Sequence, residues 1–165
     1  MTHELVDTEM CGTTDNLENT VNGAFLAAHL LTGSSRQAEA AVQEAIEAWD
    51  SDDDSEETFV KLVLKSAAAM PAEWTVLNWT DTGSSLPAEL QAVLRLSPRL
   101  RQCFVLNILL RLSREECGRL LGLSLDRVNE YTGAALRCLS DLTTVGFEQL
   151  TLQQVGWTRT IRWTG

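Results

Sequence analysis

Histidine is nearly missing from this chain, which has only His3 and His29. Its four cysteines, Cys11, Cys103, Cys117 and Cys138, form no C-x-x-C pair and stand far from both histidines. Metal-ligand spacing is therefore absent, and no metal or other cofactor is expected. Cys103, Cys117 and Cys138 each sit among apolar residues at helical spacing, so they read as small buried hydrophobes. A glycine-rich phosphate loop and a nucleophile–base constellation are also lacking, so an enzyme is not expected. No apolar run approaches the roughly 18 residues that a membrane span needs; Ile108–Leu110 is only a local peak between Asn107 and Arg111. The acidic, polar N-terminus has neither the basic start nor the apolar stretch of a secretory signal, which points to the cytoplasm.

Apolar residues make up 44% of the chain and charged residues 22%, which is enough apolar material for a packed core. The net charge of −10 is unevenly spread. Residues 1–86 carry 16 acids and 3 bases, net −13, whereas residues 87–165 carry 7 acids and 10 bases, net +3. An acidic half joined to a mildly basic half predicts two modules with different partners. The acidic half opposes phosphate backbones, because DNA affinity rests largely on Lys and Arg displacing counterions.

Periodicity predicts an all-α chain of two small helical modules. Residues 1–20 lack a hydrophobic pattern and read as a flexible acidic tail. The first module spans 21–70. Phe25, Leu26, Ala28, His29 and Leu30 mark its first helix, which Gly33 ends as a left-handed C-cap. Ser34 or Ser35 caps a second helix that runs to about Trp49, with Ala38, Ala41, Val42, Ala45, Ile46 and Trp49 as its apolar face. The acidic run at 50–57 reads as a solvated loop whose last acids favour the start of the next helix. That third helix, Glu56 to Met70, stops at Pro71. Residues 71–86 are a linker; Trp74 and Trp79 in it read as packing residues, since little positive charge stands nearby to hold a nucleic-acid strand.

The second module spans 87–142. Leu86 to Leu96 reads as one helix, and Ser97 with Pro98 opens another that runs to about Arg111. Ser113 and Glu116 stand at capping-box spacing. Gly122-Leu123-Ser124 is a tight turn, and Leu125 to about Asp141 is a longer helix packed through Val128, Tyr131, Ala135, Leu136 and Leu139. Residues 143–165 form a tail in which alternating threonines suggest a short strand or hairpin. Gly118, Gly122 and Val128, in that order, supply the small crossing residue, the turn glycine and the locking aliphatic residue of a helix-turn-helix. An ordinary helical hairpin in an all-α bundle fits the same pattern.

The surrounding residues favour the first of these. LPAELQAVLRLSPRLRQCFVLNILLRLSREECGRLLGLSLDRV resembles the C-terminal region of bacterial RNA polymerase sigma factors of the extracytoplasmic-function type. The matching positions are Leu96-Ser97-Pro98, Arg101, Phe104-Val105-Leu106, Ser113, Glu116-Cys117-Gly118 and Leu121-Gly122-Leu123-Ser124. FLAAHLLTGSSRQAEAAVQEAIEAW resembles the same family's N-terminal region through Leu31-Thr32-Gly33, Ala38-Glu39, Val42-Gln43-Glu44 and Trp49, although the spacing to Trp49 is one residue short. The resemblance covers about residues 24–70 and 86–142. It implies a transcription initiation protein that binds core RNA polymerase and promoter DNA, with an anti-sigma factor as a further partner. It places Gln43, Glu44, Glu47 and Trp49 near the polymerase-binding surface. It places Arg111, Arg114, Arg119, Ser124, Arg127, Asn129 and Tyr131 as the DNA-contacting set.

The chain departs from that family where charge matters. Asn129 stands where the family has lysine, Tyr131 where it has arginine, and Ala134 and Leu136 replace two further arginines. Asp126 and Glu130 add negative charge. Asn129 can still read adenine and Arg127 guanine, but base readout without phosphate anchoring is weak. Arg111, Arg114 and Arg119 are the anchors left in the first helix of the motif and before it. Two functions are therefore expected as alternatives. One is a sigma-like initiation protein that reads promoter DNA; the other is a degenerate sigma-like module that binds polymerase or an anti-sigma factor with weak or no DNA binding.

Overall fold

The computed structural model describes residues 11–49, 55–71 and 86–142. These form seven α-helices and one π turn, with no strand among the described residues. Helices α1 (Cys11–Thr32), α2 (Ser35–Ala48) and α3 (Glu56–Ala69) pack on one another. Gly33 takes the left-handed conformation at φ 78°, and Ser34 stands as the N-cap of α2, as the sequence predicts. Ser55 caps α3 by accepting from the Thr58 N–H, and Glu56 and Glu57 occupy its positively polarised first turn. Ala38, Ala41, Val42 and Ala45 of α2 and Phe59, Val60, Val63, Leu64 and Ala67 of α3 are buried.

The second half contains α4 (Ala88–Leu94), α5 (Pro98–Phe104), α6 (Arg114–Leu121) and α7 (Leu125–Leu142). Pro98 stands at the start of α5 behind Ser97, where its missing N–H costs nothing. The helix does not continue as α to Arg111. It widens into a π turn, Val105–Leu109, in which the Leu110 N–H donates to the Val105 carbonyl at 2.9 Å. Arg111 then takes a left-handed φ of 55°, a conformation that costs a side chain about 1–2 kcal/mol. The Asn107 amide donates to the Leu112 carbonyl at 3.0 Å and holds this irregular exit closed.

The two halves are packed against each other: α5 and α4 lie on α1, and α6 on α3. Arg101 fastens this junction. Its side chain is fully buried, with Nη2 donating to the Thr32 carbonyl at 2.9 Å and Nη1 to the Leu94 carbonyl at 3.3 Å. Thr32 ends α1, where the last carbonyls lack helical partners and carry partial negative charge. The guanidinium therefore satisfies an acceptor that the first half cannot satisfy alone. Burial pushes its pKa down to about 10, which still leaves it charged at neutral pH. His29, one turn before the end of α1, stacks on Phe25 at 6.3 Å and meets the Ser35 hydroxyl at 3.4 Å through Nδ1. Burial lowers the His29 pKa; a hydrogen bond with the Ser34 backbone raises it, and the nearby Arg101 charge lowers it further.

Several expectations are corrected. Helix α1 begins at Cys11, so residues 11–20 are not a loose tail. Leu17, Glu18 and Asn19 of this extension are exposed, so they add nothing to an apolar period, and the Thr20 hydroxyl donates to Glu56 of α3 at 3.0 Å. The helix expected from Leu86 to Leu96 is shorter, Ala88–Leu94. Ile46 is 53% exposed and Leu136 42% exposed, although both were expected in packing faces. Each lies about 80° around its helix from the centre of the buried stripe. On α7, Thr132 is buried beside Val128, Ala135 and Leu139. Cys138 is exposed, whereas Cys103 and Cys117 are buried as expected. Burial raises those two thiols, to about 11 and about 12, so neither forms a thiolate near neutral pH. No described helix is long and apolar enough to cross a membrane. The acidic run at 50–54, most of the linker with Trp74 and Trp79, and the tail at 143–165 lie outside the described residues.

Replacing Arg101 by Met orphans two buried carbonyls and is expected to cost about 2–5 kcal/mol in urea unfolding; Arg101→Lys recovers only part, because an ammonium cannot span both acceptors. His29 has its folded pKa below its unfolded value. The unfolded chain therefore takes up the proton first, and stability falls as pH drops through about 6.5. Unfolding midpoints measured between pH 7.5 and 5 should show this loss, and His29→Gln should reduce it.

Candidate functional site: the helix-turn-helix of α6 and α7

Three local devices assemble the motif. Ser113 and Glu116 form a reciprocal capping box: the Ser113 hydroxyl accepts from the Glu116 N–H at 3.2 Å, and the Glu116 carboxylate accepts from the Ser113 N–H at 3.0 Å. This fixes the start of α6. Gly122 ends α6 at φ 64°, where a side chain is strained, and the Leu123 N–H closes the turn on the Gly118 carbonyl at 2.9 Å. Gly118 lets the turn fold back close to α6. A Cβ there would lie 2.7 Å from the Leu123 carbonyl oxygen and 4.0 Å from Val128 Cγ2. Val128 is fully buried and holds α7 down.

The expected DNA-contacting residues are mostly on the surface, but they do not make one basic face. Arg111, Arg114, Arg119, Ser124, Arg127 and Asn129 are exposed. Tyr131 is half-buried against the core. The Ser124 hydroxyl accepts from the Arg127 N–H at 3.4 Å, so it caps α7. Arg127 is held by Glu130 one turn on, Nη1 to Oε2 at 2.9 Å. Asn129 is two residues from Arg127, a spacing that points them to different sides of a helix. From Arg111 to Tyr131 the four arginines are matched by Glu115, Glu116, Asp126 and Glu130, so the surface is close to neutral.

The expected polymerase-contacting residues divide similarly. Gln43 and Glu47 are exposed on α2, and the Gln43 amide donates to the Glu47 carboxylate at 3.3 Å. Glu44 accepts from the Ser66 hydroxyl of α3 at 2.5 Å, which binds the two helices together. Trp49 is half-buried and tilts on Phe59 at 5.4 Å, so it is chiefly a packing residue. Ile46, expected in the packing face of α2, is instead an apolar side chain in the open between Gln43 and Glu47. The signal was its rim position, just off the register set by Ala38, Ala41 and Ala45. Among the described residues no group of three or more His, Cys, Asp or Glu side chains is arranged to hold a metal ion.

Gly118→Ala forces the Leu123 carbonyl to move and is expected to destabilise the protein by about 1–3 kcal/mol, read as a lower unfolding midpoint with an unchanged denaturant slope. Gly122→Ala should cost less space but strain the left-handed turn. No family model matches the chain, and neither a curated protein nor a solved structure does.

Proposed function

We propose that this chain is a sigma-factor-like transcription initiation protein, which binds core RNA polymerase through the exposed face of α2 and contacts promoter DNA through α6 and α7. The observation that carries the reading is the close return of the turn at Gly118, which brings Leu123 and Val128 back against α6 and leaves Asn129 exposed on α7. A hairpin in a bundle core has no need to leave the start of its second helix open to solvent. Gln43, Ile46 and Glu47 give α2 an apolar centre with polar flanks, which suits docking to a protein surface.

The Arg127–Glu130 ion pair favours a second reading. In it the fold is kept as a protein-interaction module, for polymerase or an anti-sigma factor, and DNA binding is weak or lost. A cation already held by a carboxylate, on a surface with balanced charge, releases few counterions from DNA.

One experiment separates the two. Purified protein is added to bacterial core polymerase with a library of genomic promoter fragments, and bound and transcribed fragments are sequenced. The first reading predicts a defined promoter set. It also predicts that Glu130→Gln, by freeing Arg127, tightens DNA binding about twofold to fivefold and steepens its salt dependence by about one ion. Polymerase capture without selective fragments, and a Glu130→Gln variant with unchanged DNA affinity, supports the second reading.

A further inference from the structure

We propose that α7 pairs with α7 of a second copy of this chain, antiparallel about a twofold axis, through a stripe made by Leu125, Asn129, Thr132 and Leu136. These residues recur at steps of four, three and four, so they share one side of the helix. Leu125 is 45% exposed and Leu136 42% exposed, the two most open leucines of the described residues. Asn129 between them is exposed, and Thr132 is nearly covered. A patch that binds its own copy about a twofold axis must be complementary to itself. The stripe meets that demand in one register. The midpoint between Leu125 and Leu136 coincides with the midpoint between Asn129 and Thr132. A twofold axis at this level sets Leu125 on Leu136 of the copy and Asn129 on its Thr132, each twice. The two Asn129 residues then stand about 4.5 Å apart along the helix axis, where one amide can donate and the other accept.

The charges fit the same register. Asp126 and Arg137 each follow a leucine of the stripe, so both lie along one edge of it. A twofold axis across two antiparallel helices brings like edges together, so Asp126 faces Arg137 of the copy at both ends of the pair. The Arg137 side chain already reaches back over Gly133, with Nη1 3.6 Å from where a Cβ would sit. That carries its charge toward the level of Asp126 in the copy. Neither Asp126 nor Arg137 is in an ion pair among the described residues. Glu130, close to the axis, lies about 130° around the helix from the stripe. It is already held by Arg127. A parallel pair would instead set Asp126 on Asp126 and Arg137 on Arg137, which repels at both ends. The contact is small, below about 1,200 Å², so a weak reversible dimer with a Kd of about 10–100 μM is expected. Asn129 is enclosed in it, so dimer formation and nucleic-acid contact through α7 exclude each other. The inference rests on neither reading of the function.

A charge swap read by sedimentation equilibrium of the full chain tests this without DNA or polymerase. Reductant is kept present, so that the exposed Cys138 cannot link two chains. Asp126→Arg and Arg137→Asp are made singly and together. Both positions are exposed, so the variants should fold; circular dichroism checks this. The expected result is a wild-type monomer–dimer equilibrium that each single change weakens at least fivefold. The double variant should return to within about twofold of the wild type. Eleven residues separate the two positions, about 16 Å along one helix, so such a rescue can arise only between chains. A chain that stays monomeric to millimolar concentration would overturn the proposal. A dimer that the single changes leave intact, or that the double change does not restore, would overturn it as well.

Discussion

A single buried guanidinium decides how this chain is organised. Arg101 of α5 reaches across to the Thr32 carbonyl at the end of α1 while holding the Leu94 carbonyl on its own side. Burying a cation is expensive, and this one has lost part of its basicity to burial. The arrangement is stable only because the negatively polarised end of α1 receives the charge and both acceptors are satisfied. Leaving the arginine in place while separating the halves would expose the apolar contact around it and orphan the Thr32 carbonyl. The halves, which the charge split suggests are separate modules, are therefore fixed together.

That attachment bears directly on function. The helix-turn-helix is not presented alone; α3, from the acidic half, packs on α6. A DNA backbone approaching α6 and α7 would meet a surface whose own charges already cancel. The scaffold of the motif and its electrostatics thus give different messages. Capping box, crossing glycine and turn glycine are all formed, whereas Arg127 is held by Glu130 and Ser124 is used as a cap. Of the seven residues expected to contact DNA, Ser124 and Arg127 are engaged within the protein, and Arg111, Arg114, Arg119 and Asn129 are exposed.

The elements most legible in the sequence are those set by local chemistry. Gly33, Ser97–Pro98, the Ser113–Glu116 pair and Gly122 each mark a helix end by a short-range steric or hydrogen-bonding need, and each marks one in the structure. Features set by distant contacts were less legible. Ile46 and Leu136 have the right polarity for a core but sit at the rim, and only the neighbouring helices decide whether a rim residue is covered. Cys138 shares that error. Nothing near Arg101 in sequence announces Thr32 as its partner, and the π turn at 105–109 has no proline or glycine to signal it. The first turns of α1 were missed because they carry no apolar stripe, and Leu17, Glu18 and Asn19 there are exposed. At the candidate site the residue types were readable in advance; whether their charges were free or already paired was not.

The most direct test of this account is native-state hydrogen exchange followed by mass spectrometry across a series of sub-denaturing urea concentrations. If Arg101 joins the halves into one cooperative unit, the slowest-exchanging amides of α1–α3 and of α5–α7 should converge on the same opening free energy and the same urea dependence. Two distinct opening energies, with one half exchanging while the other stays protected, would contradict it.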